Sequence, residues 1–254
     1  MELVTSSTTW PDATNTGVPL GTTLTPSGPL TITTSGIVIS GLDMTGMVEI
    51  QASNVALENC EITSTGFAAV VAEAVVAEAG VAGVVIQNCG IDGEGLSNPN
   101  TGTFGIYIEG ERVTVSNCNI YGVVSGVTIG GGPALIENNY IHDLNASPGT
   151  HYNGIQYNGG DTAGLIDIEH NTIINQNKQT DAVMIDSDFG PVNGVTINNN
   201  LLVDGDYTAT MTTTLAAIQA PMSQSPTTHL GTGLYGYTPG SNPEPKWLQS
   251  LDAS

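Results

Sequence analysis

Five side chains that could do acid–base or metal chemistry fall within one stretch of this sequence: His151, Lys178, Asp181, Asp186 and Asp188. Two carboxyl groups flanking a glycosidic bond can hydrolyse it, one as acid and the other as base or nucleophile. Asp181 with Asp186, or with Asp188, is the best such pair. Lyase chemistry on a uronate needs instead a base for the proton α to the carboxylate and a cation to neutralise that carboxylate. Lys178 or His151 would be the base, and Asp181, Asp186 and Asp188 would hold a Ca²⁺ ion. No other cofactor is called for. A surface that only binds sugar needs rings and amides, which Tyr107, Tyr152, Asn153, Gln156 and Asn158 supply. Each chemical reading has an ordinary competitor. Asp186-Ser187-Asp188 ahead of Gly190-Pro191 also starts a turn, and Lys178, one of three basic residues in an acidic chain, also makes an ion pair.

Those residues must be carried by the element that dominates the chain, a repeat. It reads VALENCEI (55–62), VVIQNCGI (84–91), VTVSNCNI (113–120), ALIENNYI (134–141), IDIEHNTI (166–173) and VTINNNLL (195–202). Its sixth residue is Cys60, Cys89, Cys118, Asn139, Asn171 and Asn200, at steps of 29, 29, 21, 32 and 29 residues. A short strand, a bend and a second short strand returning at this interval form a solenoid. Alternating β-branched and polar residues make each repeat a coil of parallel strands and not a helix pair.

Alternation then sets direction. Val113, Val115, Cys118 and Ile120 face in and Thr114 faces out, with Asn117 at the bend. The bend column is Asn59, Asn88, Asn117, Asn138, His170 and Asn199. Asn tolerates the left-handed backbone of a sharp bend, and its amide can bond the next coil. A further ladder runs through GIYI (105–108), GVTI (126–129), GIQY (154–157) and AVMI (182–185), in phase with the first. Its outer face carries Tyr107, Thr128, Gln156 and Met184, then Glu109, Gly130, Asn158 and Asp186. The long loops 92–103, 143–153 and 175–180 emerge together along one edge of it, bringing His151 and Lys178 there. The fold expected is all-β, a right-handed parallel β-helix of about eight coils at ~4.8 Å per coil, a rod on the order of 40 Å long.

Composition narrows the partners. The net charge is −21, with Arg112, Lys178 and Lys246 the only basic residues. That weighs against nucleic acid, which needs clustered Lys and Arg, and against polyanionic glycans. Acidity keeps a stiff β-rod soluble, with a halophilic or cation-binding role as the alternative. No apolar run is long enough to span a membrane. The segment AVVAEAVVAEAG (69–80) forms either a short helix or an inserted strand pair. The three equally spaced Cys stack as buried free thiols, without the paired spacing of a zinc site. The division expected is an N-terminal cap over 1–30 that plugs one end, the β-helix over 31–205, and a C-terminal cap or attachment segment over 206–254.

The opening TTWPDATNTGVPLGTTLTPSGPLTIT, the NC coils and the block GGGPALIENNYIHDLNASPGTHYNGIQYNGGD resemble the right-handed parallel β-helix repeat family, over about residues 8–205. They are similar in particular to secreted actinobacterial members and to minor tail or spike-type proteins of actinobacterial phages. The family includes pectate-lyase-like enzymes, tailspike depolymerases and inert fibres. Members often read His-x-Asp-Gly-Ile-Gln where this chain has His151-Tyr152-Asn153-Gly154-Ile155-Gln156, so Asn153 removes a carboxylate that an enzyme would use. The polygalacturonase-like Asp-Asp and His-Gly pairs and the lyase-like Arg-rich strand are absent as well. The resemblance, together with a start at Met1 lacking a basic-then-apolar leader, gives the expectation of a non-catalytic virion surface protein. Such a protein would bind cell-surface glycan or neighbouring virion proteins, and the resemblance implies a homotrimer. The alternative is a polysaccharide lyase or glycoside hydrolase working at the loop edge, virion-borne or extracellular.

Overall fold

The computed structural model describes residues 9–72, 80–94, 102–145, 151–160, 165–177, 181–186, 188, 190, 192, 194–205, 207–211 and 229–230. Among them every regular element is a strand, and the strands form three parallel sheets of seven, nine and eight members. One coil shows the path. Val113–Ser116 lies in the seven-stranded sheet, Asn117 and Cys118 turn the chain, and Asn119–Tyr121 joins the nine-stranded sheet. Residues 122–124 lead to Ser125–Ile129 in the eight-stranded sheet, and the chain then enters Ala134–Glu137 of the next coil. Each strand therefore pairs with its equivalent one coil on, as a parallel β-helix requires.

The sequence chooses this path at the bend. Asn59, Asn88, Asn117, Asn138, His170 and Asn199 all have positive φ, between 50° and 56°. That is the left-handed region, which Asn and His enter more readily than β-branched residues. The next residue in each coil, Cys60 through Asn200, is buried in the rod. Aliphatic columns fill the rest: Leu57, Ile86, Val115, Ile136 and Ile168 from one sheet face Ile62, Ile91, Ile120, Ile141 and Ile173 from another, all fully buried. Each contributes about 1.5–3 kcal/mol by leaving water.

The continuous amide ladder stands in the interior column, one residue past the bend. The Asn139 side chain accepts from Cys118 N at 2.9 Å and donates to Asn171 Oδ1 at 3.0 Å. Asn171 in turn donates to Asn200 Oδ1 at 3.0 Å and to Ile136 O at 2.8 Å. At the bend itself cross-coil side-chain bonds are fewer, such as His170 Nδ1 to Asn138 Oδ1 at 2.7 Å. Further down, the interior column holds the free thiols Cys60, Cys89 and Cys118. Their partners are backbone carbonyls at 3.2–3.4 Å, each two residues back.

The described part of the N-terminal segment lies along the side of the rod, which differs from the end plug expected. Trp10 stacks on His170 with centroids 5.3 Å apart, and Gly17 N donates to Asn117 O at 2.8 Å. This arm covers the bend column before the chain begins its first paired strand at Thr25–Ser27. The physical reason is that groups along the bend can be covered by the arm: Gly17 N meets the Asn117 carbonyl, and the Trp10 ring lies on the His170 ring, whose Nε2 has no hydrogen-bond partner. Of the segment 69–80, residues up to Ala72 belong to the strand Ala68–Ala72 of the eight-stranded sheet, and 73–79 lie outside the described residues. No described helix is long and apolar enough to cross a membrane.

Candidate functional site

Two corners of each coil contrast. The bend corner takes two residues in six coils, whereas the segments entering the eight-stranded sheet vary: 64–67, 93–103, 122–124, 143–152, 176–180 and 205–206. The long ones emerge along one edge of that sheet, as the sequence implies. Its outer face is therefore a floor, and the long connections enter it along one edge.

Registers place Tyr107, Thr128, Gln156 and Met184 in one outward row across that floor. Phe67 and Phe104 join Tyr107 at its lower end, with centroids 5.2–5.7 Å apart in edge and tilted arrangements. Phe67 is 56% exposed, an open aromatic edge on a chain with only three Phe. Thr128, next in the row, is 4% exposed and its Oγ1 has no partner. A buried hydroxyl left unpaired costs about 1–3 kcal/mol unless something meets it. Beyond it runs a chain of amides: Asn153 Nδ2 donates to Gln156 Oε1 at 3.0 Å, and Gln156 Nε2 donates to Asn158 Oδ1 at 2.6 Å.

The residues picked for chemistry are not brought together. Asp181 opens the strand Asp181–Ile185 and Asp186 follows its end. Five residues at ~3.3 Å rise separate their Cα atoms by about 16 Å, beyond the ~5–9.5 Å that either glycosidase geometry needs. Both are also buried, 6% and 8% exposed. The hydrolase pairing of Asp181 with Asp186 or Asp188 is thus corrected: closeness in sequence here means opposite edges of a sheet. The same separation breaks the proposed Ca²⁺ trio, and among the described residues no group of three or more His, Cys, Asp or Glu is arranged to hold a metal.

Asp186 instead anchors a turn, its Oδ1 accepting from Asp188 N at 3.1 Å. Burial raises its pKa; the Asp188 N–H bond opposes this, and the Asp188 charge adds to it. Asp188 is exposed, as is His151 at the end of its loop. Lys178 lies outside the described residues. Tyr152 is half-buried and packs against the core. Asn153 is 1% exposed, so it does not offer its amide directly to a ligand as expected. Its Oδ1 accepts from Asp181 N at 3.3 Å. Gln156 and Asn158 are half-exposed.

On the nine-stranded sheet His142 is held at both ring nitrogens, by Asp143 Oδ2 at 2.7 Å and Asn119 Oδ1 at 2.9 Å. It stacks between Tyr140 and Tyr121, at 4.1 and 5.4 Å. Below it Glu61 is pushed up by burial and then by the charges of Asp43 and Asp92. Burial with the Glu61 and Asp92 charges pushes Tyr121 up to about 12. These are structural contacts, and the N-terminal arm packs beside them, with Gly17 against the Asn119 side chain.

Sequence reasoning missed Phe67 and Phe104. The available signal was Phe itself, since two of the chain's three stand at or just before strand starts in a sequence only 5% aromatic.

Residues 27–218 match the model of the right handed beta helix region. The chain belongs to the right-handed β-helix family. The three parallel sheets described above are that architecture, with the arm 9–24 preceding the matched span. No curated protein and no solved structure matches the chain. Membership in this β-helix family accounts for the fold and is compatible with both surface binding and depolymerisation.

Proposed function

We propose that this β-helix protein is a non-catalytic binding rod of a phage virion, a tail or capsid-decorating protein that holds cell-surface glycan on its eight-stranded face. One observation carries the reading: the aromatic trio and the amide chain ending at Asn158 share one outer face. Rings stack on the apolar faces of sugars and amides bond their hydroxyls, so the combination suits a glycan laid along the rod. The net charge of −21 favours a neutral glycan over a polyuronate. The virion assignment rests on the resemblance of the opening segment and the NC coils to phage tail proteins, and a trimer is the assembly that resemblance suggests.

The second reading is a depolymerase. It is favoured by Asp186, a buried carboxyl of raised pKa one coil from Asn158. A protonated carboxyl there would be a general acid, with the exposed Asp188 as the nearest second carboxylate.

The test is a screen of purified protein on neutral and acidic bacterial polysaccharides, with and without Ca²⁺. Retention of at least one neutral glycan, with no new reducing ends and no unsaturated-uronate absorbance, is expected. Cleavage that is lost in Asp186→Ala would replace binding with depolymerisation.

A further inference from the structure

We infer that Asn158 presents a hydrogen-bond donor to a hydroxyl of a neutral glycan, and that buried Asn153 sets this polarity through Gln156. The inference rests on the binding reading above and names the group that reading leaves open.

The polarity begins at the backbone. Asp181 N–H can only donate, so the atom of Asn153 that meets it at 3.3 Å must be Oδ1. The other end of that amide is then Nδ2, which can only donate, and Gln156 must turn Oε1 to it at 3.0 Å. Gln156 is left with Nε2, which donates at 2.6 Å to Asn158, fixing Oδ1 inward. Asn158 Nδ2 is what faces outward. Three amides that could each sit either way are ordered by one main-chain hydrogen.

The surroundings select the ligand group. Gly130 precedes Asn158 in its outward row and is exposed, so no side chain crowds the amide from that coil. Asp186 follows on the next coil, its N donating to Tyr157 O at 2.9 Å. One carboxylate oxygen of Asp186 is taken by Asp188 N. A hydroxyl can accept from Asn158 Nδ2 while donating toward Asp186. A carboxylate could accept but would meet Asp186 and Asp188 as like charges. A uronate is therefore excluded from this position and a neutral sugar is admitted. Asn153 never touches the ligand; it is a positioning residue.

The probes are three neutral hexasaccharides, an α-1,4-glucan, a β-1,4-glucan and a β-1,4-linked N-acetylglucosamine chain, with hexagalacturonate as the charged counterpart. Affinity is read by calorimetry and the side-chain amide signals by nuclear magnetic resonance on ¹⁵N-labelled protein. A neutral chain should bind and shift the Asn158 side-chain amide, with hexagalacturonate binding at least tenfold more weakly. Asn158→Asp removes the donor while keeping an acceptor for Gln156, and should weaken neutral binding about tenfold. Asn153→Asp offers Gln156 only acceptors, so the relay reverses: the Gln156 and Asn158 amide signals move in the free protein and affinity falls about tenfold. Gln156→Glu, half-exposed and tolerant of charge, reverses the last link alone and stands in should a carboxylate at position 153 prevent folding.

Wild-type affinity in Asn158→Asp would overturn the inference, as would preference for hexagalacturonate. Unmoved Asn158 signals in both reversal variants would do the same while leaving glycan binding intact. Silence with every saccharide would overturn the binding reading and this inference with it.

Discussion

The two ends of the nine-stranded sheet's strands obey different rules. At the bend corner six coils turn in the same two residues, a left-handed Asn or His followed by a buried Cys or Asn. At the loop corner the connection runs from two residues (205–206) to eleven (93–103). The first corner is stacked on itself, so any change is felt by the coil above and the coil below. The second varies in length from coil to coil, and Phe67 and Phe104 stand where the chain enters the eight-stranded sheet. Regularity at one corner is what permits chemistry at the other.

That contrast can be broken most severely at the interior Asn ladder. Asn171→Ala would strand Asn139 N and Ile136 O in the dry interior, while Asn200 Oδ1 would keep its bond from the main-chain N–H of residue 171, and should cost roughly 3–5 kcal/mol in urea unfolding. Cys89→Ala in the same column should cost only about 1–2 kcal/mol, because a thiol is a weak donor. Equal losses would mean that the column is held by packing and not by its amides. Next comes Gly154→Ala at the first inward position of a face strand. A Cβ there would overlap Ile173 Cγ2 and lie 2.5 Å from Ala182 O, so a loss of about 2–3 kcal/mol is expected.

The bend supplies a finer comparison. At Asn88, with φ of 53°, Asn88→Gly should leave stability within about 0.5 kcal/mol, while Asn88→Ala should cost about 1–2 kcal/mol. Phe67→Ala at the loop corner should do the reverse of all these. Unfolding should be unchanged within about 0.5 kcal/mol, and affinity for neutral glycan should fall about fivefold.

The smallest effect is a pH dependence. Burial, Asp43 and Asp92 raise the Glu61 pKa above its ordinary value of 4.5. The folded state therefore holds this proton more tightly than the unfolded chain. Stability falls as pH rises from 4.5 through the raised folded value. Glu61→Gln should raise the melting temperature at pH 7 and flatten this part of the profile, measured by thermal unfolding between pH 4 and pH 8.

Much of this was legible because a stacked coil repeats its own grammar. The bend column and the inward Cys-to-Asn column follow from the repeat alone, and so does the outward row Tyr107, Thr128, Gln156 and Met184. The amide ladder was harder to place, since Asn occupies both the bend and the interior column at 138–139 and 199–200, and only burial tells which one must satisfy itself. The arm was not legible: no periodicity links Trp10 to His170. Asp181 and Asp186 looked like a pair because sequence distance is short, but an extended strand converts five residues into its whole length. The amide relay needed atomic positions, since nothing in the letters Asn153, Gln156 and Asn158 says which atom faces out.

The central claim is that the eight-stranded face binds glycan without cutting it. The most direct measurement is a chemical-shift map of the labelled protein titrated with the tightest-binding neutral oligosaccharide, followed by chain-length analysis of the recovered sugar. Shifts confined to Phe67, Tyr107, Thr128, Gln156 and Asn158, with the oligosaccharide recovered intact, are the predicted result. Shifts centred on the Tyr121, Tyr140 and His142 face, or a shortened oligosaccharide, would contradict it.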